Sequence, residues 1–277
     1  MIPITYPSNR NVITRVTVGI ALLFVISRMT AGLSLSQLKQ PVLFKMDADF
    51  SYWMIKILGL SELLVNSSMA GIVFTIIFIG SGLVLLWLPR KTAFAWLFAI
   101  CYFIYSVIIN IYACHSMHYM AVFSIILFAF CARKEEYFVL SWRLMRYYVC
   151  FIYSNVFLMK LINGAFLDWD SGYVFFQDNI TEYLFHNEST IMSSVYRWFL
   201  QHPFIVNLSA KIIFLFEGIF LIGFFTKKYD KLLIIAAVII FLSTYIFIDV
   251  FFIEFMLAVC CPLISEQFWN KLSWLNK

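Results

Sequence analysis

The chain has 277 residues, of which 63% are hydrophobic and 13% are charged, whereas soluble proteins carry about 25% charged residues. This composition excludes a water-soluble fold, and the low counts of Gly (10) and Pro (6) exclude collagen-like and low-complexity chains. The net charge of +5 is small and lies in short loops, so no nucleic-acid partner is expected.

Long apolar runs predict an all-α, polytopic membrane protein with about eight transmembrane helices. In chain order, the first six predicted helices cover Val12–Leu33, Leu64–Leu88, Thr92–Ala113, His118–Ala132, Trp142–Leu161 and Ile205–Phe225. The last apolar stretch, Lys231 to Ile264, is too long for one span of about 20 residues and short for two. We therefore expect two short or broken helices there, with the break near Ile248–Asp249. Residues 1–265 would form one transmembrane domain, and 266–277 a short cytoplasmic tail.

The positions of Lys and Arg predict the orientation of the chain, because short cytoplasmic loops hold most positive charge. Basic residues cluster in alternate loops, at Arg10 and Arg15, Arg90-Lys91, Arg133-Lys134, and Lys227-Lys228 with Lys231. The long interval 163–203 instead carries five acids and one arginine. Both termini are therefore expected in the cytoplasm, with the intervals 34–63 and 163–203 outside.

The two outer intervals contain more than linker residues. The first includes a short amphipathic stretch from Phe50 to Leu58, which could lie at the membrane interface or fold back over the bundle. The second is long, acidic and rich in aromatic residues, which favours an ordered cap. An aromatic belt at the level of the lipid headgroups is an equally good interpretation of the same residues.

Each ionised side chain within the membrane costs at least about 2.5–3.5 kcal/mol, so it needs a partner, a water-filled cavity or a role. The sequence has six such residues: Arg28, Lys160, Lys211, Glu217, Asp249 and Glu254. Arg143 and Arg146 lie near the cytoplasmic end of the fifth helix, where we expect them to reach the interface by snorkelling. Asp249 and Glu254 would line a polar cavity or cap broken helix ends, with a structural role favoured for Asp249.

Glu217 lies in the middle of the sixth predicted helix, too deep to reach water, so it should face the bundle. A Lys160–Glu217 pair is the simplest way to satisfy both charges, although Arg28 or Lys211 could serve Glu217 equally. If Lys160 is paired, it holds helices together. If it is unpaired beneath the outer interval, its neutral amine could act as a base or nucleophile.

No metal site is predicted from the cysteines or histidines. The six cysteines lie mostly within apolar segments and form neither a C-x-x-C motif nor a zinc spacing with histidine. His118 begins the fourth helix at the outer surface, where it could meet Lys160. His115 lies three residues before it, but no further ligand is near enough in the sequence to complete a metal site.

The run from Phe151 to Tyr173 resembles the signature of the HTTM (horizontally transferred transmembrane) domain, which is shared with vitamin K-dependent gamma-carboxylase. Its features are a helix that ends in Lys160-Leu161, and then a Trp-x-x-Gly motif at Trp169 and Gly172 that is followed by an aromatic residue, Tyr173. The acidic residue in the next apolar run, Glu217, resembles the family as well. So does the final Met-Leu-Ala…Pro-Leu segment. The specific part of the likeness spans Phe151–Ile264.

The resemblance implies that Lys160 corresponds to the base that deprotonates reduced vitamin K, and that His118 lies near an outer-face His of the carboxylases. It assigns catalytic roles to Lys160, His118 and Glu217 and a cofactor-binding role to Trp169, Gly172 and Tyr173, and it allows a quinone as cofactor. A further carboxylase His has no counterpart near Phe241, and only a short tail follows the last helix. Glutamate carboxylation is therefore not expected.

In length and in these positions the chain is similar to short bacterial HTTM proteins, such as the membrane proteins that mature a sporulation-delaying toxin peptide. The likeness implies a maturation or modification factor that acts at the outer face on an exported peptide or a lipid-soluble cofactor, and it allows a second maturation subunit as a partner. Abundant Lys, Ile and Asn indicate a low-GC bacterial gene and hence the bacterial plasma membrane. Two alternatives stay open: a non-enzymatic partner or immunity subunit, and a quinone-linked redox protein. The sequence leaves open whether the protein is an enzyme.

Overall fold

The computed structural model describes residues 9–38, 50–112, 124–187, 189–248 and 253–272. Within these ranges the chain is all-helical, with no β-strand. The helices are α1 (Arg10–Thr30), α2 (Phe50–Ile57), α3 (Leu60–Asn66), α4 (Ser68–Trp87), α5 (Thr92–Tyr112), α6 (Glu135–Ile162), α7 (Ser171–His186), α8 (Ile191–Leu200), α9 (Pro203–Ile219), α10 (Asp230–Ile248), α11 (Ile253–Leu263) and α12 (Glu266–Lys271). Two 3₁₀ turns lie at Phe128–Cys131 and Phe220–Phe224.

Five segments within the described ranges are long and apolar enough to cross a membrane. They are Arg10–Thr30, Ser68–Trp87, Thr92–Ile109, Pro203–Phe224 and Asp230–Phe247. The chain is therefore compatible with a multi-pass membrane protein, whereas eight spans stay a prediction. The predicted fifth span corresponds to α6, which is not among the five and carries five charged residues. Part of the predicted fourth span, including His118, lies outside the described residues.

Several predicted helix boundaries shift for local reasons. α1 ends at Thr30 instead of Leu33, before Gly32, which has a left-handed φ of +86°. The helix predicted from Leu64 is divided at Ser67, whose hydroxyl accepts a hydrogen bond from the amide of Ala70 and caps α4. α6 begins at Glu135, seven residues before the predicted start. In the last apolar stretch the structure describes α10 and α11, and the predicted break near Ile248–Asp249 extends into residues outside the described ranges.

Contacts between residues divide the chain into two compact units, residues 1–145 with 264–277, and residues 146–263. In the first unit, α4 packs against both α1 and α5. Gly82 allows this close approach, because a Cβ there would lie 2.7 Å from the side chains of Leu22 and Phe98. The buried ring of Phe78 contacts Phe98 and Tyr102 of α5, with centroids 5.3 and 5.9 Å apart.

Arg10 is a buried residue of the first unit, although its position before the first predicted span suggested a loop. Its Nη2 donates to the carbonyl oxygens of Ala132 (2.6 Å) and Phe130 (3.3 Å), at the end of a 3₁₀ turn. Its Nη1 lies 3.5 Å from Glu135 in the first turn of α6. Arg10 therefore binds carbonyl groups that the 3₁₀ turn leaves unpaired and connects them to the start of the next helix.

In the second unit, α9 packs against α7, α8 and α10, and α10 packs against α11. The interval 163–203, predicted to be ordered, contains α7 and α8. Together with α9, these two helices form a small core in which Phe176, Ile180, Tyr196 and Val206 are fully or almost fully buried. The interval is therefore a folded part of the unit and not an extended tether.

The expectation that Arg146 snorkels to the interface is wrong. Its side chain is buried, and its guanidinium donates to both carboxylate oxygens of Asp230 and to the carbonyl oxygens of Gly223 (2.6 Å) and Thr226 (2.7 Å). Arg143, one turn earlier, is exposed. Arg146 thus repeats in the second unit what Arg10 does in the first, because it joins the end of a 3₁₀ turn to an acid in the first turn of the following helix.

Candidate functional site

Lys160 lies in the last turn of α6. Gly164 follows the helix with a left-handed φ of +74°, and its amide donates to the carbonyl of Leu161 (3.1 Å). The amide of Ala165 donates to the carbonyl of Lys160 (3.0 Å). Paired bonds of this kind close a helix at a left-handed glycine. Residues 163–170 then form a tight segment, called here the post-α6 turn, which leads directly into α7.

The predicted pairing of Lys160 and Glu217 is present. Lys160 Nζ donates to Glu217 Oε1 at 2.7 Å. The two side chains are unequally exposed, because that of Lys160 is 44% accessible and that of Glu217 only 6%. Glu217 Oε2 is buried and has no hydrogen-bond partner among the described residues. The pair therefore combines an enclosed carboxylate with a lysine side chain that is partly exposed.

Small and aromatic residues next to the pair let α6 approach α9. Gly218 follows Glu217, and a Cβ at Gly218 would lie 2.8 Å from the ring of Phe157. The ring of Phe157 also contacts that of Phe214, with centroids 4.5 Å apart. Lys160 is three residues after Phe157, on the same face of α6. This close helix contact places the ammonium within reach of Glu217.

Lys211 does not serve Glu217, which was one of the predicted alternatives. Its ammonium donates to the carbonyl oxygens of Ala165 and Asp168, both at 2.5 Å, and to the hydroxyl of Ser171 at 3.2 Å. An ammonium has three N–H donors, and all three are used. Lys211 therefore anchors the post-α6 turn to α9.

Asn207, one turn before Lys211 and almost fully buried, makes a second polar connection. Its side-chain amide donates to Asp170 Oδ1 (3.1 Å), and its Oδ1 accepts from the amide of Tyr173 (2.7 Å). Asn207 thus satisfies an amide in the first turn of α7, which has no partner within its own helix. Sequence reasoning missed Asn207, since a neutral polar residue in an apolar helix gives a weaker signal than a charge.

Gly172 and Tyr173, predicted to bind a cofactor, lie in this contact between helices. A Cβ at Gly172 would lie 2.6 Å from Cβ of Ala210 and 3.2 Å from Oδ1 of Asn207. The hydroxyl of Tyr173 donates to the carbonyl of Leu200 (3.1 Å). These contacts join the start of α7 to α9 and to the end of α8. Their part in cofactor binding stays a prediction.

Trp169, the third residue predicted to bind a cofactor, is half-exposed at the end of the post-α6 turn. Its ring contacts that of Phe204, at the start of α9, with centroids 5.7 Å apart. Of the other predicted residues, His118 and Asp249 lie outside the described residues, and only the backbone of Glu254 is described, within α11. The structure therefore brings together Lys160 and Glu217 and places Trp169, Gly172 and Tyr173 along the segment that follows.

The arrangement supplies a hydrogen-bond donor and a positive charge on a side chain that is partly exposed. A lysine in an ion pair can donate to a carbonyl or anionic oxygen, whereas it must first lose a proton to act as a base.

Across the described ranges, no group of three or more His, Cys, Asp or Glu side chains is arranged to hold a metal ion. No protein-family model, curated protein or solved structure matches the chain.

Proposed function

We propose that the chain is an integral membrane protein of the HTTM type that matures or modifies an exported peptide or a lipid-soluble cofactor at the outer face of the membrane. The observation that carries this proposal is the Lys160–Glu217 pair, in which the lysine side chain at the end of α6 is 44% exposed. In this proposal both termini lie in the cytoplasm of a bacterial cell, and His118 lies on the outer side with Lys160.

The unequal exposure of the pair favours a binding role over simple neutralisation. A charge that only joins helices does not need to be exposed, whereas a group that binds a substrate must be reachable. Here the side chain of Lys160 is partly exposed, and one oxygen of Glu217 lacks a partner among the described residues. Lys160 would bind an acceptor oxygen of the substrate, Glu217 would orient Lys160, and Trp169 would offer an aromatic surface nearby.

Lys160→Met tests this proposal, because Met keeps the length of the side chain and removes the ammonium. Cells that lack the gene would be complemented with the wild type, with Lys160→Met or with Lys227→Met, an exposed lysine of a predicted cytoplasmic loop. Released peptides and membrane lipids would be compared by mass spectrometry. We expect one product that depends on the wild type, is lost with Lys160→Met and is kept with Lys227→Met.

The variant must reach the membrane for this result to count, so membrane fractions would be blotted in parallel. Equal product from wild type and from correctly inserted Lys160→Met would refute a functional role for Lys160. Orientation is tested separately, with membrane-impermeant thiol reagents on single cysteines introduced at Lys227 and at Thr181, both exposed. We expect labelling of intact cells only at position 181.

A non-enzymatic role as a membrane partner or immunity subunit is the second candidate, and it is favoured by the 2.7 Å contact of Lys160 with Glu217. Such a contact is sufficient to explain both charges as a helix-pairing device. This candidate predicts that the double variant Lys160→Met/Glu217→Leu keeps full function and that a partner protein copurifies with it. The first proposal predicts that the double variant inserts but loses its product.

A further inference from the structure

α8 has an exposed surface with one apolar edge and one polar edge. Ile191, Val195 and Trp198 lie at i, i+4 and i+7 and form the apolar edge, where Ile191 is 87% and Trp198 46% exposed. Ser194, Arg197 and Gln201 lie at i, i+3 and i+7 and form the polar edge. Successive residues of an α-helix are separated by about 100°, so the two edges run side by side along the helix.

The orientation of α8 is set by its inner face. Ser193 and Tyr196 are fully buried, and the ring of Tyr196 contacts Tyr183 and Phe176 of α7, with centroids 5.2 and 6.0 Å apart. Thr190 caps the first turn by accepting a hydrogen bond from the amide of Ser193 (3.1 Å). Because the inner face is packed in this way, Ile191 and Trp198 cannot turn inward.

The apolar edge of α8 continues along the chain into the exposed stripe of α9. The ring of Trp198 stacks on His202, with centroids 4.3 Å apart, and α9 begins at the next residue. Phe204, Leu208, Ile212 and Leu215 then follow at helical spacing on α9, and all four are exposed apolar residues. α9 with its 3₁₀ extension is one of the five segments able to span a membrane, so this stripe is the surface that would face lipid.

We propose that α8 is an interfacial helix that lies in the outer headgroup layer of the membrane. Its apolar edge would insert among the acyl chains and its polar edge would face water. The occupant of this surface is lipid and not a protein, because the apolar edge leads into the lipid-facing stripe of α9 and is bordered by polar residues along its length. Trp198, which has an apolar ring and one N–H donor, is of the type enriched at this depth. The inference rests on the proposed insertion of the chain in a bilayer.

Site-directed spin labelling tests the proposal on the full-length protein in proteoliposomes of phosphatidylethanolamine and phosphatidylglycerol. Nitroxides would be attached at Ile191→Cys, at Ser194→Cys as the control on the polar edge, and at Ile212→Cys as the control for insertion. Collision rates with oxygen, which concentrates in lipid, and with a water-soluble nickel chelate would then be measured. The five described native cysteines are buried, and the unsubstituted protein provides the labelling background.

We expect the oxygen-to-nickel ratio at position 191 to be several-fold higher than at 194 and close to that at 212. Strong nickel accessibility at both 191 and 194, with oxygen dominant at 212, would show an aqueous cap and overturn the proposal. Low accessibility to both reagents at 191 would show a protein contact and also overturn it. Nickel accessibility at 212 would refute membrane insertion itself. Trp198→Cys should give the same result as Ile191→Cys, so the test does not depend on the folding or labelling of a single variant.

Discussion

Removal of Lys160 should destabilise the protein more than removal of Glu217, although the two residues form one ion pair. Lys160→Met leaves the carboxylate of Glu217 enclosed, with one oxygen that has lost its partner and another without one among the described residues. Glu217→Leu leaves an ammonium whose side chain is 44% accessible and can turn toward water or headgroups. The expected difference in cost between the two variants follows from the different exposure of the two side chains.

The expected magnitudes follow from the same geometry. Removing one partner of a fully buried pair costs about 3–5 kcal/mol. Exposure of Lys160 weakens the pair, so we expect a cost of about 2 kcal/mol for Lys160→Met. For Glu217→Leu we expect about 1 kcal/mol. The double variant should lie within about 1 kcal/mol of the wild type, because no uncompensated charge is left.

The free energy of unfolding would be measured for all four proteins by titration with sodium dodecyl sulfate in mixed micelles, with loss of helicity followed by circular dichroism. A double-mutant cycle over these values gives the coupling energy of the pair. Equal costs for both single variants would refute the role assigned to exposure. Additive costs, with the double variant less stable than either single one, would refute the pairing itself.

Three further expectations rest on contacts in or near the site. Gly172→Ala should cost about 1–3 kcal/mol in the same titration, because the added Cβ would lie 2.6 Å from an atom of α9. Gly80→Ala, with nothing within 4 Å, should be neutral or stabilising by up to about 1 kcal/mol, and equal losses for both would contradict the packing argument. Arg146→Lys should lower the thermal midpoint by several degrees, because an ammonium cannot replace the planar guanidinium at its three partners, whereas Arg143→Lys should leave the midpoint unchanged. Lys211→Met should increase the rate of proteolytic cleavage in the post-α6 turn, and an unchanged rate would show that the turn does not depend on Lys211.

The residues of the ion pair could be found from the sequence because both are charges in apolar runs. A charge in such a run needs a partner whatever the fold, and depth along the helix limits which partner is near. That reasoning led to Lys160 and Glu217, and it kept Lys211 as an alternative. It could not show that Lys211 binds carbonyl groups, because every residue carries a carbonyl group and the sequence does not mark which ones a turn leaves unpaired.

The same limit explains the error at Arg146. Its place near the start of a predicted helix suggested a side chain directed to the interface. The fold instead brings the carbonyl groups of Gly223 and Thr226 and the carboxylate of Asp230 to it, all distant in sequence. Gly172 likewise resembled a family motif, and only the approach of α9 shows why a side chain would not fit at that position.

Composition and hydrophobic periodicity determined the helical class of the chain and most of its long helices, because burial of apolar side chains and the cost of charge in lipid act on each segment locally. Tertiary structure alone decided which polar groups meet, which carboxylate oxygen stays without a partner among the described residues, and which edge of α8 stays exposed. These properties depend on the distances between segments far apart in the chain, which no local pattern of residues encodes.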